Sequence, residues 1–273
     1  MYESYWQLRE KPFENRTDPR FYYPGESHQA ALLKLRYAVE NQRGGALLSG
    51  ASGLGKTLLV SMLRSMLGDR FSPMVHLVFP QMPVEQLLAY LAGQLTRQVD
   101  LSGSPSVSQS VRRIEQFLVD NTRDGRHAVL VIDEAHLLEG HRTWEALRLL
   151  LNFESDCRPA LTLLLAGQPG LLVLLDRAPQ LEERLGVKCL LRAFTERETA
   201  EYVTHRLGVA GAGRPIFEPD AVATLHRLSS GVARRINRLC DLALLIGYAE
   251  ERRTITAEQL EAVSQELAAA APE

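Results

Sequence analysis

The feature that most constrains the fold of this chain is a glycine-rich stretch of eight residues, 50–57, which reads Gly-Ala-Ser-Gly-Leu-Gly-Lys-Thr. It matches the pattern G-x-x-x-x-G-K-[ST] at each specified position. A short apolar run at 46–49 precedes it, and residues 56–67 carry apolar side chains at helical spacing. A strand entering and a helix leaving such a loop are what phosphate binding requires, because the backbone N–H groups and the helix N-terminus then face the anion. We interpret 50–57 as a phosphate loop rather than as a flexible glycine turn.

The phosphate loop predicts a bound nucleoside triphosphate, ATP, together with Mg²⁺. Lys56 is expected to reach the β- and γ-phosphates, and the Thr57 hydroxyl is expected to bind Mg²⁺. The predicted nucleotide contacts are Gly50, Ala51, Ser52, Gly53, Leu54, Gly55, Lys56, Thr57 and Leu58.

The order of predicted elements indicates an α/β fold followed by a helical domain. Apolar runs at 46–49, 74–79, 128–132, 161–166 and 187–191 predict five strands, which are separated by helical patterns. Strands that alternate with helices favour a doubly wound parallel sheet, whose ligands bind outside the carboxyl ends of the strands. Four helical patterns follow position 191. We therefore divide the chain into an N-terminal arm (1–26), an α/β domain (27–193) and a helical lid domain (194–273).

Two carboxylates follow the third predicted strand. Asp133 and Glu134 end the apolar run 129–132, so they are expected at the carboxyl edge of the sheet near the phosphate loop. Asp133 is predicted to hold Mg²⁺ through water, and Glu134 to polarise the attacking water. Without the loop, a solvated acidic turn would be an equal alternative. His136 completes a D-E-A-H string, but other helicase motifs are not evident, so it is interpreted as a bystander or as a relay to its neighbours.

Further polar residues could complete a hydrolysis site. Gln168 follows the fourth predicted strand and could contact the γ-phosphate or the water, although an ordinary exit from a strand explains it equally well. Arg234 or Arg235 could reach the phosphates from a lid helix. Arg184 could enter the site of a neighbouring subunit. An arginine supplied in trans in this way stabilises the charge of the transition state. A solvated surface charge is the alternative for each arginine.

Composition limits the remaining classes of function. There are 31 Lys and Arg residues against 33 Asp and Glu residues, so no overall basic field favours nucleic acid, although local patches stay open. Cys157, Cys189 and Cys240 show no metal-ligand spacing and are expected as buried thiols. We find neither a signal peptide nor an apolar run of the length that a membrane helix needs, which predicts a soluble cytoplasmic chain without membrane insertion.

Taken together, these motifs resemble those of the AAA+ ATPases, and more narrowly those of the general secretion pathway protein A (ExeA-like) group. The resemblance covers nearly the whole chain. The matching blocks are 5–13, 18–23, His28, 50–57, 133–134, 167–169, 231–237 and 239–240. The N-terminal and C-terminal blocks are the more diagnostic of the group.

The resemblance implies roles for several residues. Gln168 takes the sensor-1 place, Arg234 the sensor-2 place and Arg184 the arginine-finger place, while the arm at 13–23 borders the adenine. Two departures are Ala233, where the group usually has proline, and His136, where glutamine is expected. The choice between Arg234 and Arg235 therefore stays open. So does the choice of the trans arginine, for which the candidates are Arg177, Arg184 and Arg192.

The first functional hypothesis is an ATPase that forms a homo-oligomer, such as a ring, and uses its nucleotide state to assemble envelope machinery. Its client would be a protein of a secretion or pilus system, and its place the cytoplasm or the inner face of the membrane. The alternative is a DNA-associated ATP switch that resembles transposition regulators. Near-neutral charge counts against it, and the basic pairs at 112–113 and 234–235 keep it open. A slowly hydrolysing nucleotide-binding scaffold is a third hypothesis.

Overall fold

The computed structural model describes residues 1–98, 105–155 and 158–269. Its contacts divide the chain into two compact units. The sheet unit contains Ser27–Ala51 and Leu59–Leu191, and the helical unit contains Met1–Glu26, Ser52–Leu58 and Arg192–Glu273. The division of the chain into an arm, an α/β domain and a lid domain remains a prediction.

The sheet unit is built on five parallel strands, as the sequence predicted. They are β1 (Gly45–Ser49), β2 (Met74–Leu77), β3 (Ala128–Ile132), β6 (Leu161–Gly167) and β7 (Leu185–Leu190). Their spatial order is β2-β3-β6-β1-β7, and each neighbouring pair is parallel. Two short strands, β4 (Glu154–Ser155) and β5 (Arg158–Pro159), form a separate antiparallel pair.

Complete burial explains why the central strands could be recognised from the sequence. Every residue of β1, β3 and β6 is buried, as expected for parallel strands covered on both faces. The edge strands were predicted less well. β2 ends at Leu77 rather than at 79, since Val78 and Phe79 are 60% and 67% exposed and Pro80 cannot donate a ladder hydrogen bond. β7 spans Leu185–Leu190 rather than 187–191.

Helices connect these strands and cover the sheet. They are α1 (Glu26–Glu40), α2 (Lys56–Met66), α3 (Val84–Thr96), α4 (Val107–Arg123), α5 (His141–Leu150), α6 (Gly170–Asp176) and α7 (Pro179–Glu182). A capping box starts α4, in which the Ser106 hydroxyl accepts from the Gln109 N–H and the Gln109 side chain accepts from the Ser106 N–H. The core of the sheet unit joins strand residues such as Leu47 and Leu130 to helix residues such as Leu91 and Leu147.

The helical unit contains the four C-terminal helices that the sequence predicted. They are α8 (Glu196–Val209), α9 (Pro219–Ser229), α10 (Ala233–Ala249) and α11 (Ala257–Ala269). A capping box starts α8, with the Thr195 hydroxyl accepting from the Glu198 N–H and the Glu198 carboxylate accepting from the Thr195 N–H.

The N-terminal arm packs into the core of this same unit. Trp6 and Phe13 are 1% and 2% exposed, and the indole N–H of Trp6 donates to the Leu244 carbonyl over 2.9 Å. Arg206 of α8 is buried and donates to the carbonyls of Pro12 (2.5 Å) and Glu14 (2.8 Å). The arm thus supplies both aromatic side chains and the acceptors of a buried cation.

Two findings bear on the expectations from composition. Cys189 and Cys240 are buried free thiols, and Cys157 lies outside the described residues. Among the helices of the described ranges, none combines the length and the apolar character that crossing a bilayer demands.

Candidate nucleotide site

The phosphate loop leaves the sheet unit at the carboxyl end of β1. The N–H of Gly50 donates to the Gly167 carbonyl over 3.1 Å, so the loop begins beside the end of β6. On the other side of β1, the N–H of Leu191 donates to the Ser49 carbonyl over 2.8 Å. The first residue of the loop is therefore fixed between two neighbouring strand ends, which is the edge where ligands bind in parallel α/β sheets.

The rest of the loop lies within Ser52–Leu58, a segment that belongs to the helical unit. Gly53 and Gly55 have φ angles of +82° and +91°, a region that side chains other than glycine rarely adopt. Lys56 and Thr57 are the first two residues of α2, and Lys56 is buried. Successive N–H groups in such a turn, followed by a helix N-terminus, form a concave anion-binding surface.

Arg234 contacts the loop within the same unit. Its backbone N–H donates to the Gly53 carbonyl over 3.0 Å, and its Nη1 donates to the Ser52 hydroxyl over 3.3 Å. A Cβ on Gly53 would lie 2.8 Å from the Cβ of Arg234, so glycine also permits this approach. Of the two candidate sensor arginines, Arg234 is therefore the one whose contacts with the loop are seen.

In the sheet unit, Asp133 lies at the end of β3 and is 1% exposed. Its Oδ1 accepts from the Glu134 N–H over 2.9 Å, and its Oδ2 lies 3.5 Å from Nε2 of His76 in β2. Glu134 has a φ of +48°, in the left-handed region that side chains other than glycine rarely adopt. A buried carboxylate and a strained neighbour therefore stand together at the carboxyl edge of the sheet.

His136 links two of the predicted site residues. Its Nδ1 lies 3.3 Å from Oε2 of Glu134 and 3.5 Å from the backbone nitrogen of Gln168. A Cβ on Gly167 would lie 3.2 Å from the backbone nitrogen of His136, so glycine at this position allows the close approach of His136. His136 thus contacts both residues, and whether it is a bystander or a relay stays a prediction.

The contact of His76 with Asp133 was not predicted from the sequence. His76 is one of four residues in an edge strand, and no motif surrounds it. Only the pairing of β2 with β3, in which His76 lies opposite Val131, brings it near the carboxylate. The contact depends on the order of the strands in the sheet, which no local pattern of residues specifies.

The three candidates for a trans arginine have different surroundings. Arg184 is exposed, and its Nη1 donates to the Leu151 carbonyl over 3.2 Å. Arg177 lines a cavity of about 250 Å³ with Trp144 and Arg148. Arg192, in the helical unit, pairs with Glu198 at 2.6 Å.

The ion pair of Arg192 changes the acidity of its partner. Although burial opposes the shift, hydrogen bonds from Arg192 and from the N–H groups of Thr195 and Glu26 lower the pKa of Glu198 to about 2. Arg192 also pairs with Glu26 at 2.7 Å. Its guanidinium is therefore held by two carboxylates of its own chain.

Comparison with known proteins identifies the family. A family model described as an AAA domain matches residues 39–175, which is half of the chain. General secretion pathway protein A of Aeromonas hydrophila is 35% identical over 253 residues, covering 91% of this chain and 45% of that protein. The chain therefore spans less than half the length of this relative.

Solved structures with the same fold are more distant in sequence. Cdc6p from Pyrobaculum aerophilum is 17% identical with a TM-score of 0.74, covering 97% of this chain and 70% of that one. The ORC1 protein of Aeropyrum pernix, solved in complex with DNA, is 18% identical with a TM-score of 0.72, covering 96% and 69%. The RuvB Holliday junction branch migration motor of Thermotoga maritima is 22% identical with a TM-score of 0.61, covering 89% and 69%.

These structures support the fold alone, whereas the domain match and the curated relative support the family. The prediction made from the motifs is confirmed: the chain belongs to the AAA+ ATPases, in the group that resembles general secretion pathway protein A.

Proposed function

We propose that this chain binds ATP with Mg²⁺ at residues 50–57, hydrolyses it, and uses its nucleotide state to control the assembly of a homo-oligomer. The observation that carries the proposal is the geometry of the loop in the helical unit. Gly53 and Gly55 take positive φ angles directly before Lys56, the first residue of α2. This conformation directs backbone N–H groups and a helix N-terminus toward one anion.

The residues present fit the magnesium ion that such a site would use. The Thr57 hydroxyl and the buried Asp133 carboxylate are hard oxygen donors, which Mg²⁺ prefers, and Asp133 would act through water. The ion would neutralise charge that develops on the phosphates. Lys56 would hold the β- and γ-phosphates, and Glu134 would orient the water and accept its proton.

Two substitutions separate binding from hydrolysis. Lys56→Ala should abolish nucleotide binding, since the loop loses its cation, whereas Glu134→Gln should keep binding and lose turnover. Fluorescent ATP-analogue titration and phosphate release measure the two properties. Unchanged phosphate release by Glu134→Gln would refute its role as the base.

For control of hydrolysis, we propose that Arg234 acts from the same chain and Arg184 acts on a neighbouring subunit. Arg234 already contacts Ser52 and Gly53, whereas Arg184 is exposed. Activity per subunit should therefore rise with protein concentration, because a lone subunit lacks the second arginine.

A mixing experiment tests the role in trans. Lys56→Ala subunits keep Arg184 but cannot bind nucleotide, and Arg184→Ala subunits keep the loop. Each should be inactive alone, and a mixture should regain phosphate release. If Arg184→Ala alone hydrolyses ATP at the wild-type rate, the assignment fails and Arg177 becomes the next variant to examine.

The name of the curated relative supports a role in envelope secretion, with a client protein of that machinery as partner, in the cytoplasm or at the inner face of the membrane. This assignment rests on a match to 45% of that protein. Co-purification of the ATP-bound Glu134→Gln variant with the products of neighbouring genes tests it. A client should be retained by this variant and lost by Lys56→Ala.

A further inference from the structure

A basic trough lies at the edge of the sheet where the parallel strands begin. Two contiguous clefts, of about 420 and 340 Å³, share Gln42, Arg70, Arg158 and Pro159 in their walls. One cleft extends to Glu40 and Asn41, and the other to Thr122, Gly125 and Arg126. We call the set Arg70, Arg126 and Arg158 the trough arginines.

The topology separates this trough from the phosphate loop. Its walls come from segments that directly precede β1, β2, β3 and β6, at the amino-terminal ends of the strands. The phosphate loop instead leaves the carboxyl end of β1. Because all five strands are parallel, the trough and the start of the phosphate loop lie at opposite ends of the strands.

The walls carry an excess of positive charge. Among the described residues of the walls Glu40 is the single carboxylate, and its Oε1 lies 2.7 Å from Nε of Arg36, a residue outside the trough. Arg126 pairs with Asp124. Within the ranges that the structure describes, Arg70 and Arg158 form no ion pair with a carboxylate. Guanidinium groups that share a cleft repel one another, and a bound anion removes that repulsion.

A backbone hydrogen bond joins the two segments that carry Arg70 and Arg126. The guanidinium of Arg70 stacks on the ring of Phe71 at 5.8 Å, and the Arg70 carbonyl accepts from the N–H of His127, the neighbour of Arg126, over 2.7 Å. Nε2 of His127 lies 2.9 Å from the Thr162 hydroxyl. These contacts connect the segment before β2 to the segment before β3, so the backbone positions of Arg70 and Arg126 are set relative to each other.

His127, which follows Arg126 in the chain, adds no charge to the trough. His127 is 1% exposed. Burial, assisted by the positive charge of Arg70, lowers the pKa of His127 to about 4, so this imidazole is neutral at physiological pH. The positive charge of the trough therefore comes from its arginines and not from this histidine.

We propose that the trough is a second anion site, distinct from the ATP site, which binds a ligand that presents several phosphate groups in series. Guanidinium binds phosphate in a bidentate manner. Three arginines distributed over two contiguous clefts match a run of phosphates better than they match one isolated ion. A free polyphosphate and the backbone of a nucleic acid share this chemistry.

The test compares two double variants with equal change of charge. Arg70→Gln/Arg158→Gln removes two trough arginines, and Arg197→Gln/Arg227→Gln removes two exposed arginines of the helical unit that pair with Glu201 and Glu261. Calorimetric titration with inorganic tripolyphosphate should show one binding site fewer, or at least tenfold weaker binding, in the trough variant alone. The phosphate loop is intact in every protein, so a failure of the proposed ATP site would not change this difference.

A second titration identifies the source of the phosphates. A labelled DNA duplex is titrated across a salt series, since each lost phosphate contact reduces the salt slope by about 1. A reduced slope in the trough variant indicates a nucleic acid backbone, and an effect on tripolyphosphate alone indicates a free polyphosphate. If the trough variant behaves as its control in both titrations, the proposal is overturned.

Discussion

Gly231, between α9 and α10, offers a direct test of how the helical unit is held together. Its φ is +69°, and a Cβ at this position would lie 2.0 Å from the carbonyl oxygen of Phe194. The N–H of Phe194 also donates to the Gly231 carbonyl over 2.9 Å. Gly231→Ala therefore combines an unfavourable backbone conformation with a steric overlap at a hydrogen-bonded contact.

The expected cost follows from these two effects. Alanine in the left-handed region costs roughly 1–2 kcal/mol. Real Cβ atoms essentially never approach other atoms closer than 3.0 Å, so the two segments must separate by about 1 Å. That displacement weakens the Phe194–Gly231 hydrogen bond, worth about 1 kcal/mol. We expect Gly231→Ala to lower the free energy of unfolding of the helical unit by about 3 kcal/mol.

Tryptophan fluorescence can report on this unit alone. The chain has two tryptophans, so Trp144→Phe leaves Trp6, which is buried in the core of the helical unit. Urea titration of Gly231→Ala in that background should give a lower midpoint. The control is Gly208→Ala inside α8, where a Cβ meets no atom within 4 Å and alanine should stabilise by up to about 1 kcal/mol. Equal midpoints for the two variants would refute the reasoning.

Two further predictions concern ionisable groups. Because the pKa of Glu198 falls from 4.5 to about 2 on folding, its contribution is present above pH 4.5 and lost as the pH falls toward 2. The free energy of unfolding followed by Trp6 fluorescence should therefore drop across this window by on the order of 3 kcal/mol, and Glu198→Gln should flatten that drop; an unchanged pH profile would contradict the prediction. His136→Phe removes the group 3.3 Å from the Glu134 carboxylate, so kcat should fall up to about tenfold while nucleotide affinity is kept. Phosphate release and analogue binding measure the two quantities, and weaker binding with an unchanged kcat would argue against this role.

The elements that sequence analysis predicted well are those whose signal is local. β3 is apolar at every residue because both its faces are covered, and Asp133 follows it directly. The phosphate loop is a continuous segment with fixed glycine positions, so a single pattern contains it. Burial and chain continuity together were sufficient for these features.

The parts that sequence analysis missed depend on strand order and on side-chain contacts. His76 meets Asp133 only because β2 pairs with β3. Val78 and Phe79 are apolar but exposed, and they extended the predicted second strand beyond its end. A run of apolar residues does not by itself show which of its side chains stay in water. The trough arginines come from separate segments, so no motif joins them.

The buried indole of Trp6 has a consequence for the synthesis of this protein. Its acceptor, the Leu244 carbonyl, lies 238 positions further along the chain. At roughly 5–20 residues per second, about 10–50 s pass between the synthesis of Trp6 and the synthesis of Leu244. During that interval Trp6 and Phe13 lack the core that later buries them. The arm emerges well before the helices that bury it and is among the last segments to fold, so a nascent chain of this kind is expected to expose aromatic side chains to chaperones during synthesis.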